Sequence, residues 1–310
     1  MTIKVAAIQL ATAVAESEEN IRRCERLSLQ AVNEGAQWIA LPEFFNTGVS
    51  WNPKIARAIQ SADGEAATFL CGFSKKYRVL IGGSFLCRLP DGQVRNRYQC
   101  YAQGRLVGQH DKDIPTMWEN YFYEGGDPGD IGVLGLYENV RVGAAVCWEF
   151  MRTMTARRLQ NKVDVVIGGS CWWSIPTNFP LFLQKLWEPD NKRNALEVLR
   201  DNARILGVPV IHAAHCGEIE CAMPGLPMSY TGFYEGNAVI LDAEGRILAH
   251  RKPEEGEGVV STEILMMPKQ DSREIPQGYW LRKRGILPFF AWHHQRWLGR
   301  RWYARHVRGN

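Results

Sequence analysis

The sequence contains no pair of cysteines at C-x-x-C spacing, although it holds eight: Cys24, Cys71, Cys87, Cys100, Cys147, Cys171, Cys216 and Cys221. Structural zinc sites and thioredoxin-type redox motifs use such pairs, so neither is expected here. No apolar run approaches the ~20 residues of a membrane-spanning helix, and the apolar stretch within residues 1–10 is too short for a secretory signal. No motif recurs at a fixed period, which excludes a repeat architecture. Scattered single thiols without an export signal predict free cysteines in a reducing cytoplasm.

Acidic residues are also missing from one stretch. Residues 275–310 hold Arg282, Lys283, Arg284, Arg296, Arg300, Arg301, Arg305 and Arg308 but no Asp or Glu. The whole chain carries 37 Lys and Arg against 33 Asp and Glu, a net +4, so the part before this tail is mildly acidic. Whole-chain charge therefore misdescribes an acidic body with a basic tail rich in tryptophan. Hydrophobic residues make up 45% and charged residues 23% of the 310, which is ample for a folded core and argues against disorder. The expected organisation is one catalytic domain over 1–267 and a basic, Trp-rich extension over 268–310.

Apolar and β-branched runs alternate with helical periodicity in the first half. A strand over 3–10 precedes a helix over 18–34, in which Ile21, Cys24, Leu27, Ser28 and Ala31 recur at helical spacing. A short strand over 38–41 is stopped by Pro42, placing Glu43 just beyond its carboxyl end, where open α/β sheets gather their chemistry. A helix over 66–77 and a strand over 79–86 follow, then a turn at Asp91-Gly92 and returning strands over 96–102 and 106–109. Lys112 follows the last of these. A strand over 140–147 ends at Cys147, followed by a helix over 151–161 and a strand over 163–170. A helix over 191–206 and strands over 208–214, 237–242 and 246–251 complete a mixed sheet layered by helices.

A strand-end thiol can be a nucleophile, but a free thiol has a pKa near 8.5 and needs a base or a positive neighbour to ionise at neutral pH. Glu43 can take the proton and later activate water, while Lys112 can stabilise an oxyanion together with a backbone N–H just after the nucleophile. Taken singly, Cys147 reads as a buried hydrophobe, Glu43 as a first-turn acid and Lys112 as a surface charge; the combination at strand ends is what points to a hydrolase. Cys171, which also ends an apolar strand, is not excluded by spacing. Cys216 beside His215 is a weaker pair, because adjacent strand residues face opposite ways.

These residues resemble the nitrilase superfamily, the carbon–nitrogen hydrolases built on a Glu-Lys-Cys triad. Over 3–263, Ala6-Ala-Ile-Gln9 resembles the opening strand, Leu41-Pro-Glu-Phe44 the general-base motif, Lys112-Asp-Ile-Pro115 the lysine motif and Val146-Cys-Trp-Glu149 the nucleophile motif. Glu119, seven positions after Lys112, resembles the family's second glutamate, with Glu124 as its rival in the same segment. The stretches 194–203 and 234–245 resemble the family's long helix and a later strand and turn, although Ala238 stands where a small hydroxyl is usual. The resemblance implies a four-layer α-β-β-α sandwich of the nitrilase type, pairing into homodimers or higher homo-oligomers, and a reaction without metal or organic cofactor. It implies Glu43 as general base, Cys147 as nucleophile, Lys112 as oxyanion stabiliser and Glu119 as supporting acid.

Phe44, Phe45, Trp118, Phe122, Trp148, Trp172 and Trp173 are expected around the pocket, with Phe44, Trp118, Trp148, Trp172 and Trp173 as the substrate-binding set; Cys171 is expected in its wall. Aromatic walls favour an apolar acyl group. The Cys-Trp-Glu triplet resembles nitrilases, whereas Pro42-Glu-Phe-Phe-Asn-Thr-Gly48 and the Glu119 segment resemble amidases and carbamoyl-amide hydrolases, which favours a small amide or carbamoyl substrate over a nitrile. The Arg-interleaved Trp280, Trp292, Trp297, Trp302 and Tyr303 suit an anionic membrane or nucleic acid in an interaction protein, but packing against a neighbouring subunit is the favoured expectation.

Overall fold

The structure, a computed structural model, describes residues 1–266 and 272–309. The expected boundary between a domain ending at 267 and an extension starting at 268 lies outside the described residues. The chain begins with β1 (Thr2–Ala11), α1 (Ser17–Asn33) and β2 (Trp38–Ala40). A two-residue strand, β3 (Gln60–Ser61), precedes α2 (Glu65–Tyr77), β4 (Leu80–Arg88), β5 (Val94–Ala102) and β6 (Arg105–Asp111). Next come β7 (Val133–Tyr137), β8 (Val140–Val146), α3 (Thr153–Leu159), β9 (Val165–Ser170) and α4 (Leu181–Leu206). Then follow β10 (Val210–Cys216), the hairpin β11 (Glu218–Ala222) and β12 (Ser229–Phe233), β13 (Ala238–Leu241), β14 (Ile247–Arg251) and β15 (Gly258–Leu265). The helix α5 (Ile286–His306) lies in the basic tail.

Two half-sheets form, ordered β6-β5-β4-β2-β1-β15 and β7-β8-β9-β10-β13-β14. They join where the carboxyl ends of β1 and β10 pair in parallel, from Gln9 opposite Ala214 to Ala11 opposite Cys216. Leu27 and Ala31 of α1 and Leu70 and Phe73 of α2 pack with Ile8, Ile39 and Ile81, covering one half-sheet. Leu159 of α3 and Val198 and Leu199 of α4 share a core with Val165, Ile167 and Ile211 of the other. Between the sheets, the Trp38 ring lies 5.9 Å from Tyr137. The result is the α-β-β-α sandwich, held by burial of apolar faces on both sides of each sheet.

The layers approach most closely beside the strand ends that carry the chemistry. A Cβ on Gly169 of β9 would lie 2.6 Å from Pro42 Cα, so only glycine lets the chain bearing Glu43 cross this strand. Pro42 itself stops β2 as the sequence predicts.

The tail folds back on its own chain. Its rings pack on the body of the same chain: Trp292 is buried against Trp148, with ring centroids 5.4 Å apart, and Trp302 lies 5.2 Å from Trp51. The Leu281 N–H donates to Met151 O at 2.8 Å, and Thr153 N–H to Tyr279 O at 3.1 Å, stitching the segment before α5 to the turn that follows Cys147. Arg282 pairs with Asp201 of α4 at 2.5 Å. The acidic body thus receives the basic tail within one chain, leaving Trp297 exposed.

Candidate active site

Glu43, Lys112 and Cys147 follow β2, β6 and β8 respectively, and the sandwich brings these ends together. Lys112 Nζ donates to Glu43 Oε1 at 2.8 Å and to Glu119 Oε1 and Oε2 at 2.9 and 2.7 Å. Cys147 Sγ and one oxygen from each glutamate lie within 4.8 Å of one another. Such a cluster has metal-ligand spacing, but the Lys112 ammonium already bonds both carboxylates and acts as their cation. All four side chains are buried. Glu124 instead sits at the edge, 3.8 Å from Arg308.

The turns bearing these groups hold unusual backbone. Phe44, Met117 and Cys147 have φ of 50°, 45° and 51°, in the left-handed region that costs a non-glycine residue energy. The Cys147 turn is fastened from below by Glu149, whose Oε2 accepts from Val146 N–H at 2.8 Å. Glu149 also meets His110 Nε2 at 3.0 Å and Arg158 Nη2 at 3.0 Å. Burial works against its charge, but His110, Arg158 and Arg152 outweigh that and hold its carboxyl well below the usual range. Glu119 reaches back to Thr116 N–H at 2.9 Å and accepts from the Tyr123 hydroxyl.

Burial raises the Glu43 pKa to about 7, helped by Glu119 and opposed by Lys112 and the Cys171 N–H. Its donors are Lys112, Asn96 Nδ2 at 2.8 Å on Oε1, and Cys171 N–H at 3.0 Å on Oε2. Burial likewise pushes the Cys147 thiol well above its ordinary value, with the Glu43 charge adding and Lys112 opposing. For Lys112, burial disfavours the ammonium, yet Glu119 and Glu43 outweigh it and raise the pKa. The cluster is a cation between two carboxylates with a protonated thiol beside a base able to take its proton near neutrality.

A cavity of about 70 Å³, partly open to solvent, is lined by Trp118 and Trp148, the chain neighbours of Glu119 and Cys147, while Glu43, Lys112, Glu119 and Cys147 themselves lie behind this lining. Trp118, Trp148, Trp172 and Trp173 line it with Met117, Tyr230, Met223 and Phe179. Phe44 does not. It is fully buried in the aromatic layer beneath, 6.1 Å from Tyr123, because its φ of 50° turns the chain inward after Glu43. Phe45 packs against Phe85, and Phe122 against Trp302, also away from the lining. Cys171 contributes its N–H to Glu43, while its thiol points toward Val49 O at 4.0 Å and does not line the pocket. His215 holds the Glu43 carbonyl through Nε2.

Asn96, Tyr123, Asn191 and the tail residues Leu287, Pro288 and Ala291 were not singled out by the sequence. Asn96 and Tyr123 hold the two glutamates; Asn191 Oδ1 accepts from the Trp172 indole at 3.0 Å. Asn191 and the three tail residues line the pocket. Asn96 opens a run of five buried residues in β5, 96–100, a signal available only once its neighbours in the sheet are known.

Comparison with known proteins agrees with this geometry. A nitrilase from Pyrococcus abyssi is 29% identical over 53% of this chain, and the chain spans 63% of that relative. It spans about half, 47%, of a bifunctional nitrilase/nitrile hydratase from Lupinus angustifolius at 28% identity. An omega-amidase from Yersinia enterocolitica is 25% identical over 81% of this chain and 86% of its own length. The fold matches a carbon-nitrogen hydrolase from Helicobacter pylori G27 with a TM-score of 0.71 at 17% identity, covering 86% of this chain and 89% of that one. An amidase from Nesterenkonia sp. matches with a TM-score of 0.65 at 16% identity, over 84% of this chain and 90% of that one. The carbon-nitrogen hydrolase family model matches residues 4–267, and the chain belongs to that family.

Proposed function

We propose that this chain is a cysteine-dependent amidase that hydrolyses a non-peptide C–N bond of a small, uncharged amide or carbamoyl compound with an apolar acyl group. The observation that carries the proposal is Lys112 held between Glu43 and Glu119 beside Cys147. Glu43, as a carboxylate, takes the Cys147 proton while the sulfur attacks the amide carbon. Lys112 and the Trp148 N–H stabilise the oxyanion, and Glu119 holds Lys112 in place. The tetrahedral intermediate collapses, the C–N bond breaks, and the nitrogen leaves as ammonia or an amine with the proton from Glu43. Glu43 then takes a proton from water, whose oxygen attacks the thioester; collapse expels the Cys147 sulfur, which recovers its proton, and releases the carboxylic acid.

Trp118, Trp148, Trp172 and Trp173 would hold the acyl group; the pocket lining includes no Lys, Arg, Asp or Glu, which favours an uncharged acyl chain. Nitrile hydrolysis is the second reading, favoured by the Cys147-Trp-Glu149 triplet and the nitrilase relatives. It would proceed through a thioimidate on the same sulfur. A reducing cytoplasmic setting is supported by eight free cysteines. A homo-oligomeric state is supported by exposed Leu181, Phe182 and Leu186 on α4. The hydrolase domain is taken to end near 267, with the basic extension after it.

Ammonia release from a panel of amides, carbamoyl amino acids and nitriles tests the proposal. Amide turnover that disappears in Cys147→Ala, with the fold retained by circular dichroism, is expected. Full activity in that variant contradicts it; ammonia from nitriles alone selects the second reading.

A further inference from the structure

We infer that the tail helix α5 is the specificity wall of the pocket, with Ala291 and Leu287 setting the length of acyl group that it accepts. This rests on the amidase reading. Leu287, Pro288 and Ala291 come from the first two turns of α5 and line the pocket opposite residues that the hydrolase body supplies. The family match ends at 267, so this wall comes from sequence outside the matched region.

The wall is anchored on both sides of Ala291. Trp292 is buried, with its ring 5.4 Å from Trp148 and 5.6 Å from Trp280. Trp148 directly follows the nucleophile, so the tail packs on the turn that bears Cys147. The Arg284 guanidinium lies 4.8 Å from the Trp280 ring centroid, 4.6 Å from Phe289 and 5.6 Å from Trp292, clamping the entry into the helix. Asn194 Nδ2 donates to Lys283 O at 2.9 Å and ties the same entry to α4. A helix held at this many points presents its side chains at fixed depth. Ala291 leaves room that a larger side chain would fill, whereas Leu287 occupies space that an alanine would open.

The test compares kcat/KM for propionamide, hexanamide and 3-phenylpropionamide in Ala291→Leu, Leu287→Ala and the outer-face variant Phe290→Ala. Ala291→Leu is expected to lower the ratio of long to short amides by about 10-fold or more, the scale of one or more methylenes in an apolar pocket. Leu287→Ala is expected to raise it, and Phe290→Ala, which lies outside the pocket, to leave it unchanged. Titration of Cys147→Ala protein with the same amides, read by indole fluorescence, measures binding without turnover.

Turnover with an unchanged ratio in both lining variants overturns the inference while leaving the amidase reading intact. Amide binding without turnover in the unmodified protein overturns the amidase reading instead. Should Ala291→Leu fail to fold, Leu287→Ala carries the test, because it only removes atoms from a half-buried position.

Discussion

Replacing Glu43 by glutamine removes one negative charge while nearly preserving shape, and the structure specifies several consequences. All three neighbours are donors: Lys112 Nζ and Asn96 Nδ2 on Oε1, and the Cys171 N–H on Oε2. The amide of Glu43→Gln offers one acceptor, so in either orientation its NH₂ faces a buried donor. An unmade buried hydrogen bond costs about 1–3 kcal/mol, which should appear as a lower unfolding midpoint. Loss of the base should reduce the rate of ammonia release by about 100- to 10,000-fold. The thiol should respond differently, because the Glu43 charge pushes its pKa up and Lys112 pulls it down. With Glu43 neutral, alkylation of Cys147 by iodoacetamide at pH 8 should proceed at least as fast as in the unmodified protein. The same base sets a pH limit: burial raises its pKa to about 7, so kcat/KM should fall tenfold per pH unit below that value and level off above it. A Glu43→Gln protein retaining more than about a tenth of the original rate, or a profile that falls only below pH 5, would refute the assignment of the base.

Other perturbations reach the site through its supports. Tyr123→Phe removes a hydroxyl donated to Glu119; a stability loss of about 1.5–3 kcal/mol by denaturant unfolding and a lower kcat are expected. In Gly299→Ala the new Cβ would lie 2.8 Å from the Asn120 backbone carbon, pressing α5 against the turn that carries Glu119; a loss of about 1–3 kcal/mol with reduced kcat is expected, whereas Trp297→Ala on the exposed side should change neither. Burial disfavours charged His110, but Glu149 and Asp130 outweigh it and raise its pKa to about 10. A group raised on folding stabilises fully below its unfolded pKa near 6.5, and that stabilisation declines as pH rises toward 10, so the thermal midpoint should fall across this window and His110→Gln should flatten the slope.

The site was largely legible because its groups follow strands whose apolar runs are unmistakable. Glu43 after Pro42, Lys112 after β6 and Cys147 after β8 required only the rule that such sheets gather chemistry at strand ends. In the sequence only the resemblance separates Glu119 from Glu124, which lie five positions apart. The helix α5 was missed because its apolar residues point both ways: Pro288, Trp292 and Tyr303 inward, Phe289, Phe290 and Trp297 outward. No single stripe is left for periodicity to detect. The helix expected over 191–206 begins ten residues earlier, at Leu181, and runs through Pro189 at an exposed position. Adjacency to Glu43 suggests Phe44 as a pocket wall, but the left-handed φ that turns it inward is not readable at a phenylalanine.

The central claim is that an acyl group passes through the Cys147 sulfur. Acid quenching during amide turnover, followed by intact-mass measurement and peptide mapping, tests it most directly. The account predicts an added acyl mass on the peptide containing Cys147, absent from Cys147→Ala protein. An adduct mapped to Cys171, or undiminished turnover in Cys147→Ala, would contradict it.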